Sequence, residues 1–127
     1  MIFDTDVLIW FFRGNQAAAE LLDGQAERAL SIVSMMELYQ GARSRQESRA
    51  IRQFLQNNNF RVIPINESIS HLAATLVEDH ALKDGLGVAD ALIAATAREN
   101  GTILATGNVK HMRSIAALEL KAFRPHS

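Results

Sequence analysis

The sequence predicts an α/β fold of three layers, with helices on both faces of a mostly parallel sheet of four to five strands. Two observations predict it. Short apolar runs alternate along the whole chain with longer stretches rich in Ala, Leu, Glu and Gln, and parallel strands need a crossover that a helix supplies. No repeat, low-complexity tract or Gly/Ser/Pro-rich linker interrupts the alternation, and Pro64 and Pro125 mark no viable boundary. The 127 residues are therefore expected to form one domain spanning residues 1–127.

The elements follow in order. Met1-Ile2-Phe3 reads as a short buried strand, and the polar triplet Asp4-Thr5-Asp6 then precedes Val7-Leu8-Ile9-Trp10 as an N-cap should. Helices are predicted over residues 6–12 and 17–22, and a second strand over 29–33. Ser34-Met35-Met36-Glu37 has the form of a capping box and opens a helix over 34–43, followed by one over 47–57. A third strand covers 60–65, helices follow over 68–82 and 88–100, and a fourth strand covers 102–105. The segment from Thr106 to His111 reads as a polar turn, and residues 118–123 as an added edge strand.

Composition narrows the function. Apolar residues make up 48% and charged residues 21%, a balance suited to a folded core. The longest apolar run, Val7 to Phe12, is far short of the roughly 20 residues that span a bilayer, and the start carries no leader pattern. The chain is expected to be soluble and cytoplasmic, with no membrane partner. With no cysteine, any metal must be held by oxygen or imidazole. A net charge of −1, from 13 basic and 14 acidic residues, gives no global attraction for nucleic acid, so local patches must supply it. Arg43, Arg45, Arg49 and Arg52 form one, and Lys110, Arg113, Lys121 and Arg124 another, although such charges also suit a solvated helix face.

In parallel sheets the ligand site lies beyond the carboxyl ends of the strands. Asp4 follows the first strand there, and Glu37 stands just after the second, although capping alone accounts for the Ser34/Glu37 pair equally well. Asp90 stands in a helix start otherwise made for burial, Val88-Ala89-Asp90-Ala91-Leu92-Ile93-Ala94. A carboxylate facing apolar neighbours must be paired, protonated or bound to a cation, unless it merely answers the helix dipole. Asn108 after the fourth strand offers a carbonyl oxygen, and His111 an imidazole. Oxygen ligands converging without Cys or a His pair suit a hard cation, Mg²⁺ or Mn²⁺. The alternative, metal-free acid–base catalysis, needs cooperating histidines, but His71 and His80 would lie about 180° apart on a helix and His126 is in the tail.

Four segments in order carry a resemblance: Asp4-Thr5-Asp6-Val7-Leu8, Ser34-Met35-Met36-Glu37-Leu38-Tyr39-Gln40-Gly41, Asp90-Ala91-Leu92-Ile93-Ala94-Ala95-Thr96-Ala97 and Thr106-Gly107-Asn108. Together they resemble the PIN-domain family and, within it, the VapC-type toxins. The resemblance implies an endoribonuclease dependent on Mg²⁺, for which Mn²⁺ can substitute, cutting single-stranded or looped RNA. Asp4, Glu37 and Asp90 would be the acidic metal-binding set, and Asn108 would complete the catalytic group where many relatives carry a fourth acid. Asp6, where relatives often have Asn or Ser, could compensate for that missing charge; Asp84 is a weaker candidate, in what reads as a surface turn. Arg43, Arg45, Lys110 and Arg113 are the candidate phosphate contacts. A homodimer and a VapB-type antitoxin partner are also implied, with Trp10, Phe11 and Phe12 a candidate docking surface if they are not simply core.

Asp4-Thr5-Asp6 after an apolar strand also suits a haloacid-dehalogenase-like phosphatase, although Leu8 stands where that family expects Thr or Val. A receiver-like domain would need an acceptor Asp after the third strand, where this chain has Asn66-Glu67. A catalytically inactive PIN-like scaffold is the further alternative raised by Asn108.

Overall fold

The computed structural model describes residues 1–126. Five strands, β1 (Ile2–Phe3), β2 (Arg28–Ser31), β3 (Phe60–Ile63), β4 (Leu104–Thr106) and β5 (Leu120–Ala122), form one sheet in the order β3-β2-β1-β4-β5. Every pairing is parallel. The helices are α1 (Thr5–Phe12), α2 (Gln16–Asp23), α3 (Ile32–Gly41), α4 (Arg45–Asn57), α5 (Glu67–Asp84), α6 (Val88–Glu99) and α7 (Val109–Met112). The three-layer α/β/α architecture and the fifth, edge strand are as the alternation predicts, with α7 condensing from the expected turn.

Two apolar clusters cover the sheet. Ile2, Ala29, Ile63 and Leu104 pack with Ile69, Leu76 and Ile93 of α5 and α6. Phe3, Leu30 and Ala105 pack with Val7, Leu8, Leu22, Leu38 and Leu55 of α1 to α4. Successive strand side chains thus enter opposite clusters, as the period-2 geometry of a strand requires. Trp10 and Phe11 belong to the second cluster, so the core reading of that aromatic run holds for them, whereas Phe12 is 40% exposed. Phe11 and Phe12 both meet Phe54, with centroids 4.9 and 5.1 Å away.

One boundary changes the local argument. The second strand ends at Ser31, and Ile32 and Val33, expected in it, instead open α3. The cap is Ser31, whose hydroxyl accepts from the Val33 amide at 3.1 Å. Ser34 and Glu37 therefore do not form the predicted capping box; both lie inside the helix. Elsewhere Asp4 caps α1, Asn66 caps α5, and Gly85 ends α5 at φ 73°, the left-handed conformation that suits glycine at a helix end. Among the described residues no helix is long and apolar enough to cross a membrane.

Candidate active site

The site is built on three adjacent strand ends. β1 sits centrally between β2 and β4, and the register Phe3 to Ala105 sets Asp4 level with Thr106. Asp4 is 5% exposed, and its two carboxylate oxygens are held separately. Oδ1 accepts from the Thr5 amide at 2.7 Å and Oδ2 from the Thr106 hydroxyl at 2.6 Å. Thr106, itself fully buried, accepts in turn from the Asn108 amide at 2.9 Å. The Asn108 side-chain amide donates to Asp90 Oδ2 at 2.8 Å, which joins the turn after β4 to the first turn of α6.

Glu37 enters from α3. Thr5 Oγ1 stands 2.6 Å from Glu37 Oε1 and 2.9 Å from Ser34 Oγ. A hydroxyl has one hydrogen and accepts through its lone pairs, so Thr5 donates to the carboxylate and its contact with Ser34 is best made by accepting. Placing the start of α3 at Ile32 gives this geometry: Ser34 and Glu37, three residues apart, share the helix face toward α1.

Charge effects link Asp4, Asp6 and Asp90 to one another, and Glu37 to Asp90. Burial is the chief cause that raises the Asp4 carboxyl to about 7, followed by the charge of Asp6 and, more weakly, that of Asp90, against the hydrogen bonds from Thr106 and Thr5. Asp90 is raised by burial and then by Glu37, and lowered by His111 and Asn108. Asp6 is raised by burial and by Asp90, with the Gly107 and Val7 amides opposing. Among the described residues no Lys or Arg pairs with Asp4, Asp6, Glu37 or Asp90.

Asp4, Glu37 and Asp90 are oxygen donors of the kind a hard divalent cation takes, and Asp90 Oδ1 and Glu37 Oε2 accept no hydrogen bond from a described residue. As the side chains stand, no three His, Cys, Asp or Glu residues among those described are gathered closely enough to enclose an ion.

The other candidates separate from this group. Asp84 is engaged elsewhere, with Oδ2 2.7 Å from His80 Nδ1 and Oδ1 accepting from Ser114 at 3.4 Å. His80 holds the Asp84 carboxyl below its ordinary range. His111 packs over Gly85, where a Cβ would lie 3.6 Å from its Nε2, and acts on Asp90 through space. His71 is exposed and His80 buried on α5, as their spacing predicts. Arg43 pairs with Glu47 at 3.2 Å; it lines, with Glu37, an apolar groove of about 820 Å³ between α1, α3 and α4. Arg45, Lys110 and Arg113 are exposed.

Sequence reasoning assigned no role to Thr106 or Gly107 and did not see that Thr5 orients Glu37. Thr106 stood in the quoted Thr106-Gly107-Asn108 segment, but its bond to Asp4 depends on strand register, which a single sequence does not display.

A parallel sheet with this acidic carboxyl edge defines the class: the chain belongs to the PIN domain family, whose sequence profile matches residues 1–118. It is similar to Ribonuclease VapC10 of Mycobacterium tuberculosis (strain CDC 1551 / Oshkosh), 38% identical over 117 residues that cover 87% of this chain and 84% of that protein. Its fold is similar to a toxin–antitoxin complex from Klebsiella pneumoniae, with a TM-score of 0.81, 28% identity and coverage of 99% of this chain and 98% of that one. VapBC-1 from nontypeable Haemophilus influenzae gives a TM-score of 0.79 at 25% identity, covering 96% and 98%. Family membership selects the PIN reading over the phosphatase and receiver readings.

Proposed function

We propose that this protein is a divalent-metal-dependent endoribonuclease that cuts single-stranded or looped RNA and serves in the cytoplasm as the toxin of a toxin–antitoxin pair. The observation that supports the reading is the charge coupling of Asp4 to Asp90 and of Asp90 to Glu37 beyond the carboxyl ends of the strands, in a chain similar to a protein named as a ribonuclease.

Asp4, Asp90 and Glu37 would hold Mg²⁺, or Mn²⁺ in its place. When bound, the cation supplies Lewis-acid activation of water and neutralises charge that develops on the phosphate. The chain's own residues set the geometry. Thr106 and the Thr5 amide fix the Asp4 carboxylate in one orientation, and the Thr5 hydroxyl aims Glu37. Asn108 holds Asp90 through its amide nitrogen and leaves its carbonyl oxygen for a ligand. Attack of water on phosphorus with departure of the 3′ oxygen leaves a 5′ phosphate on one product and a 3′ hydroxyl on the other. Single-stranded RNA suits this edge because the attacking water needs an exposed backbone, and unstacked bases are what sequence readers recognise.

The antitoxin is assigned to the groove beside Glu37, whose walls expose Ile9 at 36% and Phe12 at 40%. An antitoxin partner is in keeping with the similarity to a toxin–antitoxin complex; its seat in this groove rests on the exposed apolar walls, and the homodimer on the family resemblance.

The test is to incubate the protein and Asp90→Asn with single-stranded RNA, in Mg²⁺, in Mn²⁺ and in EDTA, and to follow 5′-phosphate ends. Cleavage by the parent alone, abolished by EDTA, is the expected result. Equal inactivity of both on several RNAs would turn the assignment to a non-catalytic PIN scaffold, the reading that an amide at Asn108 favours.

A further inference from the structure

We propose that Asp6 is a positioning residue of this site: it clamps the turn after β4 through the Gly107 amide, so that the residues flanking that glycine hold Asp4 and Asp90. The inference rests on the functional reading above for its kinetic consequence, but the clamp itself can be measured without activity.

Both Asp6 oxygens are spent on backbone amides. Oδ1 accepts from Val7 N at 2.8 Å, within α1, and Oδ2 accepts from Gly107 N at 2.8 Å, in the turn more than a hundred residues away. The residue before that glycine, Thr106, donates to Asp4 at 2.6 Å; the residue after it, Asn108, donates to Asp90 at 2.8 Å. The turn is closed internally by the Asn108 amide on Thr106 Oγ1 at 2.9 Å. Asp6 thus grips the middle of a three-residue segment whose two ends each orient one of the site's acids.

The same contact has a steric side. A Cβ at Gly107 would stand 2.5 Å from Asp6 Oδ2, closer than atoms can approach, and 3.5 Å from the Phe123 carbonyl oxygen. Gly107 is not among the glycines with positive φ, so its backbone does not demand glycine. The demand is steric and comes from the Asp6 carboxylate. The pairing is mutual: the carboxylate reaches the amide because nothing stands between, and a side chain at 107 would displace it.

The test compares Asp6→Asn, Asp6→Ser, Gly107→Ala and the double change Asp6→Ser with Gly107→Ala. Three readouts are taken: Gly107 amide hydrogen exchange by NMR in metal-free protein, Mn²⁺ affinity by calorimetry, and kcat and KM on single-stranded RNA. Asp6→Ser, too short to reach the turn, is expected to speed Gly107 exchange. It should lower kcat by about 10–100-fold, the usual range for an outer residue that orients ligands, and leave KM for RNA within about twofold because the uniform binding of RNA is untouched. Asp6→Asn keeps one acceptor and should fall between parent and Ser. Gly107→Ala should be damaging in the parent and nearly silent in the Asp6→Ser background. Unchanged Gly107 exchange in Asp6→Ser, or additive effects in the double variant, would overturn the clamp whatever the activity. Complete loss of Mn²⁺ binding in Asp6→Asn would overturn it in favour of a direct ligand. If the parent itself proves inactive, the catalytic reading fails, and exchange together with Mn²⁺ affinity still decides the clamp.

Discussion

Asp4 bears the heaviest electrostatic load in the site, because burial and the charge of Asp6 raise its carboxyl from 3.8 to about 7. The sign of the consequence is fixed. Between those values the folded chain holds a proton that the unfolded chain has released, so stability falls as pH rises, with the full loss reached above about 7. At about 1.4 kcal/mol per unit the loss is on the order of 4 kcal/mol. Asp6 and Asp90 are raised too and act in the same direction. Asp84 is lowered, so its contribution is lost only toward acid. The melting temperature of EDTA-treated protein should therefore fall from pH 5 to pH 8, and Asp4→Asn should flatten that fall. Added Mg²⁺ should restore more at pH 8 than at pH 5, since metal and proton compete for the same carboxylates. An equally steep fall in Asp4→Asn would place its cause elsewhere. Asp4 stood out in the sequence because it directly follows the first apolar strand, and Asp90 because it opens a helix of apolar neighbours where an acid is costly. The bond of Thr106 to Asp4 was not legible, since it depends on β1 lying beside β4, a partnership across more than a hundred residues that no local pattern encodes.

At the scale of elements, the order of strands and helices was legible because apolar period and length differ so clearly between the two. The start of α3 was not. Ile32 and Val33 are β-branched and prolong the strand pattern of residues 28–31, and Ser34 with Glu37 imitates a capping box. Packing decides otherwise. Beginning the helix at Ile32 lets Ser31 cap it and puts Ser34, fully buried, against Thr5. The two serines should then respond differently to truncation. Ser31→Ala removes the cap and is expected to cost about 1 kcal/mol in urea unfolding, leaving RNA cleavage per folded molecule close to the parent's. Ser34→Ala releases Thr5 and with it the aim of Glu37, so kcat should drop more than stability does. A stability loss confined to Ser34→Ala would mean that the capping box is real and that α3 starts three residues later.

For the molecule as a whole, a net charge of −1 leaves RNA attraction to the arrangement of its basic groups around an acidic edge. Arg43 is partly neutralised by Glu47 at 3.2 Å, whereas Lys110 and Arg113 stand exposed on and just after α7, immediately beyond Asn108, and Arg45 stands exposed at the start of α4. If RNA crosses the carboxyl edge from α3–α4 toward α7, these side chains release counterions in proportion to the phosphates they meet. For a single strand each contact contributes roughly 0.7 to the slope of log affinity against log salt. Replacing Lys110 or Arg113 by Gln in an Asp90→Asn background, which keeps the RNA intact, should lower the slope by roughly that amount each; Arg43→Gln should lower it less, because its charge is already shared with Glu47. Anisotropy of a labelled single-stranded RNA between about 50 and 200 mM salt measures all three. A slope unchanged when Arg43, Arg45, Lys110 and Arg113 are all replaced would mean that the strand approaches the acids from another side, and the search would move to the groove walls along α1 and α4.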